Sequence, residues 1–156
     1  WPNSAVEAVL ATPNSLWVCL RYFGNFASSH VIQLDHMNLY VSNVERSRAF
    51  YEKLLPPSGL PVNRDFGEIA VGFGDQGYAA FALVRQTDPI QKTHIAFRVD
   101  TRQEVHDLYQ TAIDAGGTDN GLPGLRAHYH EHYYASFICD PDGHNLEFVC
   151  HKPLPE

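Results

Sequence analysis

The chain of 156 residues predicts an α+β fold made of two βαβββ repeats, whose curved half-sheets lie side by side as a cup-shaped mixed sheet with the helices outside. Three observations carry this expectation. HMNLYVSN at His36 and HIAFRVDT at His94 superpose without a gap at an offset of 58 residues, and the same offset carries Phe50-Tyr51 onto Leu108-Tyr109 and Gly59 onto Gly117. Each copy opens with strand alternation that runs into a helix-start signal. Each then continues as short strand-like runs separated by turn residues.

Taken in order, Leu34, His36, Asn38 and Tyr40 fall on one face of the first strand and Met37, Leu39 and Val41 on the other. Ser42-x-x-Glu45 and Thr101-x-x-Glu104 both fit a capping box, in which a hydroxyl and a carboxylate satisfy the free N–H groups of a helix start. Ala49, Phe50 and Leu54 face inward on the first helix, which ends at Pro56-Pro57. Val105, Leu108, Tyr109, Ala112 and Ile113 form the apolar stripe of the second, stopped by Ala115-Gly116-Gly117. The strand-like runs are PVNRDF, EIAVGF and YAAFALV in the first half, and YYASFIC and HNLEFVC in the second. Gly74-Asp75-Gln76-Gly77 and Asp140-Pro141-Asp142-Gly143 are hairpin-compatible turns. Residues 1–30 do not share the plan and read as an N-terminal extension, leaving a domain over residues 31–156.

Composition narrows the function classes. A hydrophobic share of 44% is enough for one well-buried core. Eleven basic against eighteen acidic residues, a net charge of −7 and no basic stripe speak against a nucleic-acid partner. No apolar run approaches the roughly 20 residues that span a bilayer, so no membrane partner is expected. Cys19, Cys139 and Cys150 are an odd set without CxxC spacing, which points to reduced, buried thiols and a cytoplasmic setting.

LDHMNLYVSNVERSRAFYEKLL, THIAFRVDTRQEVHDLYQTAIDAGG and DPDGHNLEFV resemble the vicinal oxygen chelate superfamily over about Leu34 to His151. That superfamily contains glyoxalases, bleomycin- and fosfomycin-resistance proteins and extradiol dioxygenases. The resemblance implies metal ligands at the start of each repeat's first strand, His36 and His94, and on the last strand, Glu147. A divalent ion (Fe2+, Mn2+, Zn2+, Ni2+ or Co2+) would then make a charged Glu147 tolerable among apolar neighbours. Superposing the terminal hairpins on Gly77 and Gly143 puts Phe81 opposite Glu147, or Ala82 after a one-residue slip, where a four-ligand glyoxalase site has a second carboxylate.

Read singly, His36 and His94 fit core-edge histidines bonded to backbone, and Glu147 fits an edge-strand surface residue. Read together, they imply an enzyme acting on a small-molecule substrate with vicinal oxygens, either a lyase or isomerase or an extradiol-type dioxygenase. The alternative is a metal-free binding protein of the bleomycin-resistance type; a cupin fits the two regular helices and the repeat less well. In the segment 126–134, His128 and His130 are candidate general bases, Tyr133 and Tyr129 hydroxyl donors, and Arg126 an anion anchor. Asn38 and Arg98 share strand faces with His36 and His94. His144 reads as a surface residue, and His106 and His151 as outside the site. A homodimer is a further implication of the resemblance.

Overall fold

The computed structural model describes residues 34–75 and 77–153. The extension expected at residues 1–30 lies outside the described residues. Each repeat forms its own four-stranded sheet. In the first, β1 (Met37–Val41) leads into α1 (Val44–Leu54) and a single 3-10 turn at Pro56–Ser58, followed by β2 (Val62–Asp65), β3 (Ala70–Phe73) and β4 (Phe81–Arg85). In the second, β5 (His94–Arg98) leads into α2 (Arg102–Asp114), β6 (Thr118–Leu125), β7 (Tyr134–Cys139) and β8 (Asn145–Cys150). The strand orders, β1-β4-β3-β2 and β5-β8-β7-β6, are identical in plan. In each the first strand pairs parallel with the last and the remaining pairs are antiparallel.

Local chemistry explains most of these elements. Thr101 and Glu104 form the expected capping box, with Glu104 N–H donating to Thr101 Oγ1 and Thr101 N–H to the Glu104 carboxylate. At α1 the cap is Asn43, whose side chain accepts the Arg46 N–H at 2.8 Å, rather than Ser42. Phe50 and Leu54 are buried as expected, whereas Ala49 is exposed and Ser47 and Tyr51 take inward positions. TDNGLPGL, which was not among the strand-like runs read from the sequence, forms β6. Its proline is tolerated because β6 is an edge strand, and its ladder to β7 is interrupted by register shifts around Gly121. Among the described residues no helix is long and apolar enough to cross a membrane.

One core spans both repeats. Leu39, Val41, Phe50, Leu54, Phe73, Phe81 and Leu83 from the first join Ile95, Val105, Ile138, Leu146 and Phe148 from the second. Tyr51 packs on Phe81 and Phe81 on Phe97, with ring centroids 5.3 and 6.2 Å apart, and Phe97 stacks on Phe148.

The DPDGH turn is the polar joint between the repeats. Asp140 Oδ1 accepts the backbone N–H groups of Asp142 and His144, and Oδ2 accepts the buried Tyr51 hydroxyl of α1 at 2.9 Å. Asp142 accepts from the Ser42 N–H and hydroxyl, the Ser47 hydroxyl and Arg46 Nη2, the last at 2.6 Å. Gly143, at φ +84°, closes the turn in the left-handed region where a side chain would be strained. His144, expected at the surface, is instead fully buried. Its Nδ1 accepts the Thr93 N–H at 3.1 Å, which leaves the ring proton on Nε2 to donate to the Tyr40 carbonyl at 2.9 Å. A histidine beside a turn is buried here because it satisfies the open edge of β1 and the entry to β5 at once.

Burial alone would raise the Asp142 carboxyl, but the Ser42 hydrogen bonds and Arg46 outweigh it and hold the group below its ordinary value of 3.8. A depressed folded-state value contributes stability above the unfolded value, and that stability is lost as pH falls through the folded one. Asp142→Asn should therefore lower stability by about 1–3 kcal/mol at pH 7. In thermal unfolding series it should also flatten the loss of stability below pH 3.8 relative to the wild type.

Candidate functional site

The parallel pairing of β5 with β8 sets His94 opposite Asn145 and Ala96 opposite Glu147, so His94 and Glu147 project from one face of the sheet. Across the other ladder Glu147 faces Phe137 of β7. The small Ala96 leaves room beside the carboxylate. His94 Nε2 lies 2.9 Å from Glu147 Oε2, and the Tyr133 hydroxyl donates to Oε1 at 2.5 Å. Glu147 is 3% exposed, while the His94 side chain is 51% exposed and opens the pair to solvent. Asn145 Nδ2 lies 3.3 Å from His94 Nδ1, the ring nitrogen that Glu147 does not meet. The Phe137 ring meets that of His94 edge-on at 6.2 Å. Burial, followed by the Glu147 hydrogen bond and charge, pushes the Tyr133 phenol well above its usual range, so the hydroxyl keeps its proton.

His36 stands apart from this pair. Its Nδ1 contacts the Asp35 carboxylate at 2.7 Å and its side chain is 56% exposed. Among the described residues no three His, Cys, Asp or Glu side chains converge as a metal-binding group. The ladders also settle the hairpin register. Asn38 pairs with Ala82 as Ala96 pairs with Glu147, so Ala82, not Phe81, occupies the first repeat's counterpart of Glu147. Phe81 belongs to the core, and the first repeat has no second carboxylate at that place.

The segment after β6 meets the pair through Tyr133. Arg126 N–H donates to the Tyr133 carbonyl at 2.7 Å, fastening the two ends of the loop. The Arg126 guanidinium lies 5.5 Å from the Phe137 ring centre and donates to the Leu122 carbonyl. A Cβ on Gly124 would come within 2.8 Å of Arg126 Nη1, so the bare backbone there makes space for the guanidinium. His128 packs on Tyr129 at 4.2 Å, and Tyr129 on Tyr133 at 4.7 Å. Both ring nitrogens of His130 are engaged, Nδ1 by the His132 N–H and Nε2 by His151 Nδ1 at 2.8 Å.

His151 was read as outside the site. The structure sets it edge-on to Tyr133 at 5.0 Å. A signal for it was present: alternation continued one residue past β8 would carry residue 151 to the side of residues 147 and 149. Burial first, then the charge of Arg98 and the neighbouring His130, lower the His151 imidazole from its ordinary range, while Glu147 opposes them. His106 does remain apart, on α2, where its Nε2 meets the Tyr134 hydroxyl at 2.7 Å.

Two mixed sheets of identical strand order, each with a histidine at the head of its first strand, describe a family as well as a fold. The Glyoxalase/Bleomycin resistance protein/Dioxygenase superfamily model matches residues 33–148, and the chain belongs to that superfamily. It is similar to the metallothiol transferase FosB of Shouchella clausii, at 28% identity over 120 residues, covering 73% of this chain and 77% of that one. Among solved structures it is similar to the hypothetical protein SA1046 from S. aureus, with TM-score 0.58 and 26% identity over 78% of this chain and 99% of that one. It also shares the fold of a glyoxalase/bleomycin resistance protein from Albidiferax ferrireducens, with TM-score 0.62 and 21% identity over 76% of this chain and 98% of that one.

The geometry of the pair makes Tyr133 the donor that satisfies one oxygen of a buried carboxylate. Tyr133→Phe should cost about 1–3 kcal/mol of stability, measured as a lower urea midpoint with an unchanged slope. A wild-type midpoint would show that water or His94 satisfies Glu147 without it.

Proposed function

We propose that the protein is a divalent-metal-dependent enzyme acting on a small substrate with vicinal oxygens, with His94 and Glu147 as the ligands of one chain and His36 as the third. The observation that carries this reading is the 2.9 Å approach of His94 Nε2 to a carboxylate that is almost fully buried. The partners of that carboxylate are an imidazole and a phenol, neither of them a permanent cation. An imidazole and a carboxylate brought together in this way are donors that a divalent ion would accept, so the residues present fit the group. When bound, the ion supplies Lewis-acid polarisation of adjacent substrate oxygens.

The chain's own residues do the rest. Tyr133 fixes Glu147 through Oε1 and leaves Oε2 directed at His94. Asn145 holds the ring of His94. Arg126, braced over Phe137, suits an anionic group at the far end of the substrate. His128 stands in the same loop as Tyr133, where a proton can be held or moved, whereas both nitrogens of His130 are already engaged. Thiol transfer, lyase or isomerase chemistry requires no redox metal, whereas extradiol-type ring oxidation requires iron or manganese.

A second copy of the chain is the proposed source of His36. Leu34, 85% exposed, and Tyr40, 48% exposed, flank His36 in the chain as apolar side chains that another copy could cover. The separation of His36 from His94 and Glu147 also favours a second reading, a metal-free small-molecule binder of the bleomycin-resistance type.

Elemental analysis of protein purified without chelator or affinity metal separates the two. Near-stoichiometric metal that is lost in Glu147→Ala is expected. Iron or manganese would direct assays to oxygen uptake with catechols, and zinc, nickel or cobalt to lyase and transferase assays. No metal after reconstitution with each ion would sink the metalloenzyme reading. If the site is shared, His36→Ala and Glu147→Ala chains should each fail to hold metal but recover part of it when unfolded and refolded together; no recovery would place all three ligands within one chain.

A further inference from the structure

His130 and His151, 21 residues apart, meet at 2.8 Å between Nε2 of the first and Nδ1 of the second. Their tautomers follow from what surrounds them. The His132 backbone N–H donates to His130 Nδ1 at 3.1 Å, so that nitrogen presents its lone pair and the ring proton resides on Nε2. Nε2–H in turn donates to His151 Nδ1, which leaves the proton of His151 on Nε2. Each lone pair of the two rings is thus already met by an N–H. A metal ion at this pair would need a proton on His130 Nδ1, facing the N–H of His132.

We infer that the His130–His151 pair is a relay of fixed tautomer that presents His151 Nε2–H to an oxygen of the molecule held at His94 and Glu147. His130 is its positioning residue. The inference rests on reading those two residues as the binding centre, and it narrows the ligand to one that carries an anionic oxygen or develops one. His151 lies one residue beyond β8, four after Glu147. The Tyr133 ring, whose hydroxyl reaches Glu147, is flanked edge-on by both histidines, at 5.3 Å for His130 and 5.0 Å for His151. The charged and titratable groups about the pair come from three places: Arg98 of β5, Glu147 of β8, and Tyr129 and Tyr133 of the closing loop. Burial, Arg98 and His130 act together to keep the His151 ring uncharged. A neutral N–H fixed in advance is the kind of donor that stabilises developing negative charge without reorganisation.

Long-range 1H–15N spectra of the ligand-free protein at pH 7.5 read the tautomers directly, and both rings should be neutral with the proton on Nε2. His130→Gln, whose amide N–H can still donate, should preserve the His151 tautomer. His130→Glu, which can only accept, should move the His151 proton to Nδ1 or add a second one. With zinc-loaded protein, oxalate should bind roughly tenfold more weakly to His151→Phe and His130→Glu, and nearly normally to His130→Gln. An Nδ1–H tautomer or an imidazolium on His151 in the wild type would overturn the inference, as would unchanged oxalate affinity in His151→Phe. Failure of zinc to bind would strike the metal reading instead, and the spectra recorded without metal would still decide the relay.

Discussion

The acidic turn Asp140-Pro141-Asp142-Gly143 and the histidine that follows it hold the two repeats in one arrangement. Each carboxylate faces the first repeat: Asp140 takes the Tyr51 hydroxyl, and Asp142 takes Ser42, Arg46 and Ser47 around the start of α1. His144 reaches the free edge of β1 through the Tyr40 carbonyl. Buried carboxylates and a buried imidazole are costly unless fully satisfied, so this joint tolerates few alternative geometries. The apolar core supplies most of the driving force for bringing the repeats together. The turn determines their register, because hydrogen bonds are directional and hydrophobic contact is not.

The same turn sets the start of β8, and with it the site. Once Asn145 pairs with His94, the parallel ladder carries Glu147 opposite Ala96 on the face that His94 occupies. Parallel pairing of the first and last strands of a repeat brings together residues 53 positions apart in the chain. The pair is then roofed by a loop whose ends are tied by Arg126 N–H and the Tyr133 carbonyl. Glu147 is consequently buried by aromatic side chains while His94 stays open on one side. The pair is therefore asymmetric, with the carboxylate pinned and the imidazole approachable from solvent.

Duplication also explains what the two repeats do not share. Ala82 stands where the second repeat has Glu147, and Phe81 beside it is a core residue in contact with Tyr51 and Phe97. The first repeat therefore keeps its histidine, His36, but no carboxylate on β4 at the matching place. The repeats divide the work: the first contributes the helix start that receives the acidic turn, and the second the buried carboxylate and its roof.

The repeat, the strand alternation, the α2 capping box and the residue types at His94 and Glu147 were legible in the residues alone, since these are local or periodic features that propensity and side-chain spacing express directly. It also contained the placement of His151, through simple alternation from Glu147. Other features belonged to the tertiary structure. Ser42 gave up the cap of α1 to Asn43 and faced Asp142 from the other repeat, 100 residues away. β6 formed despite Gly121, Pro123 and Gly124, because an edge strand needs only one partner. His144 moved from expected surface to full burial because two backbone groups from different strands awaited it. Separation explains each of these outcomes: the partner that decides the residue's environment lies tens of positions away, and only folding brings it within hydrogen-bonding distance.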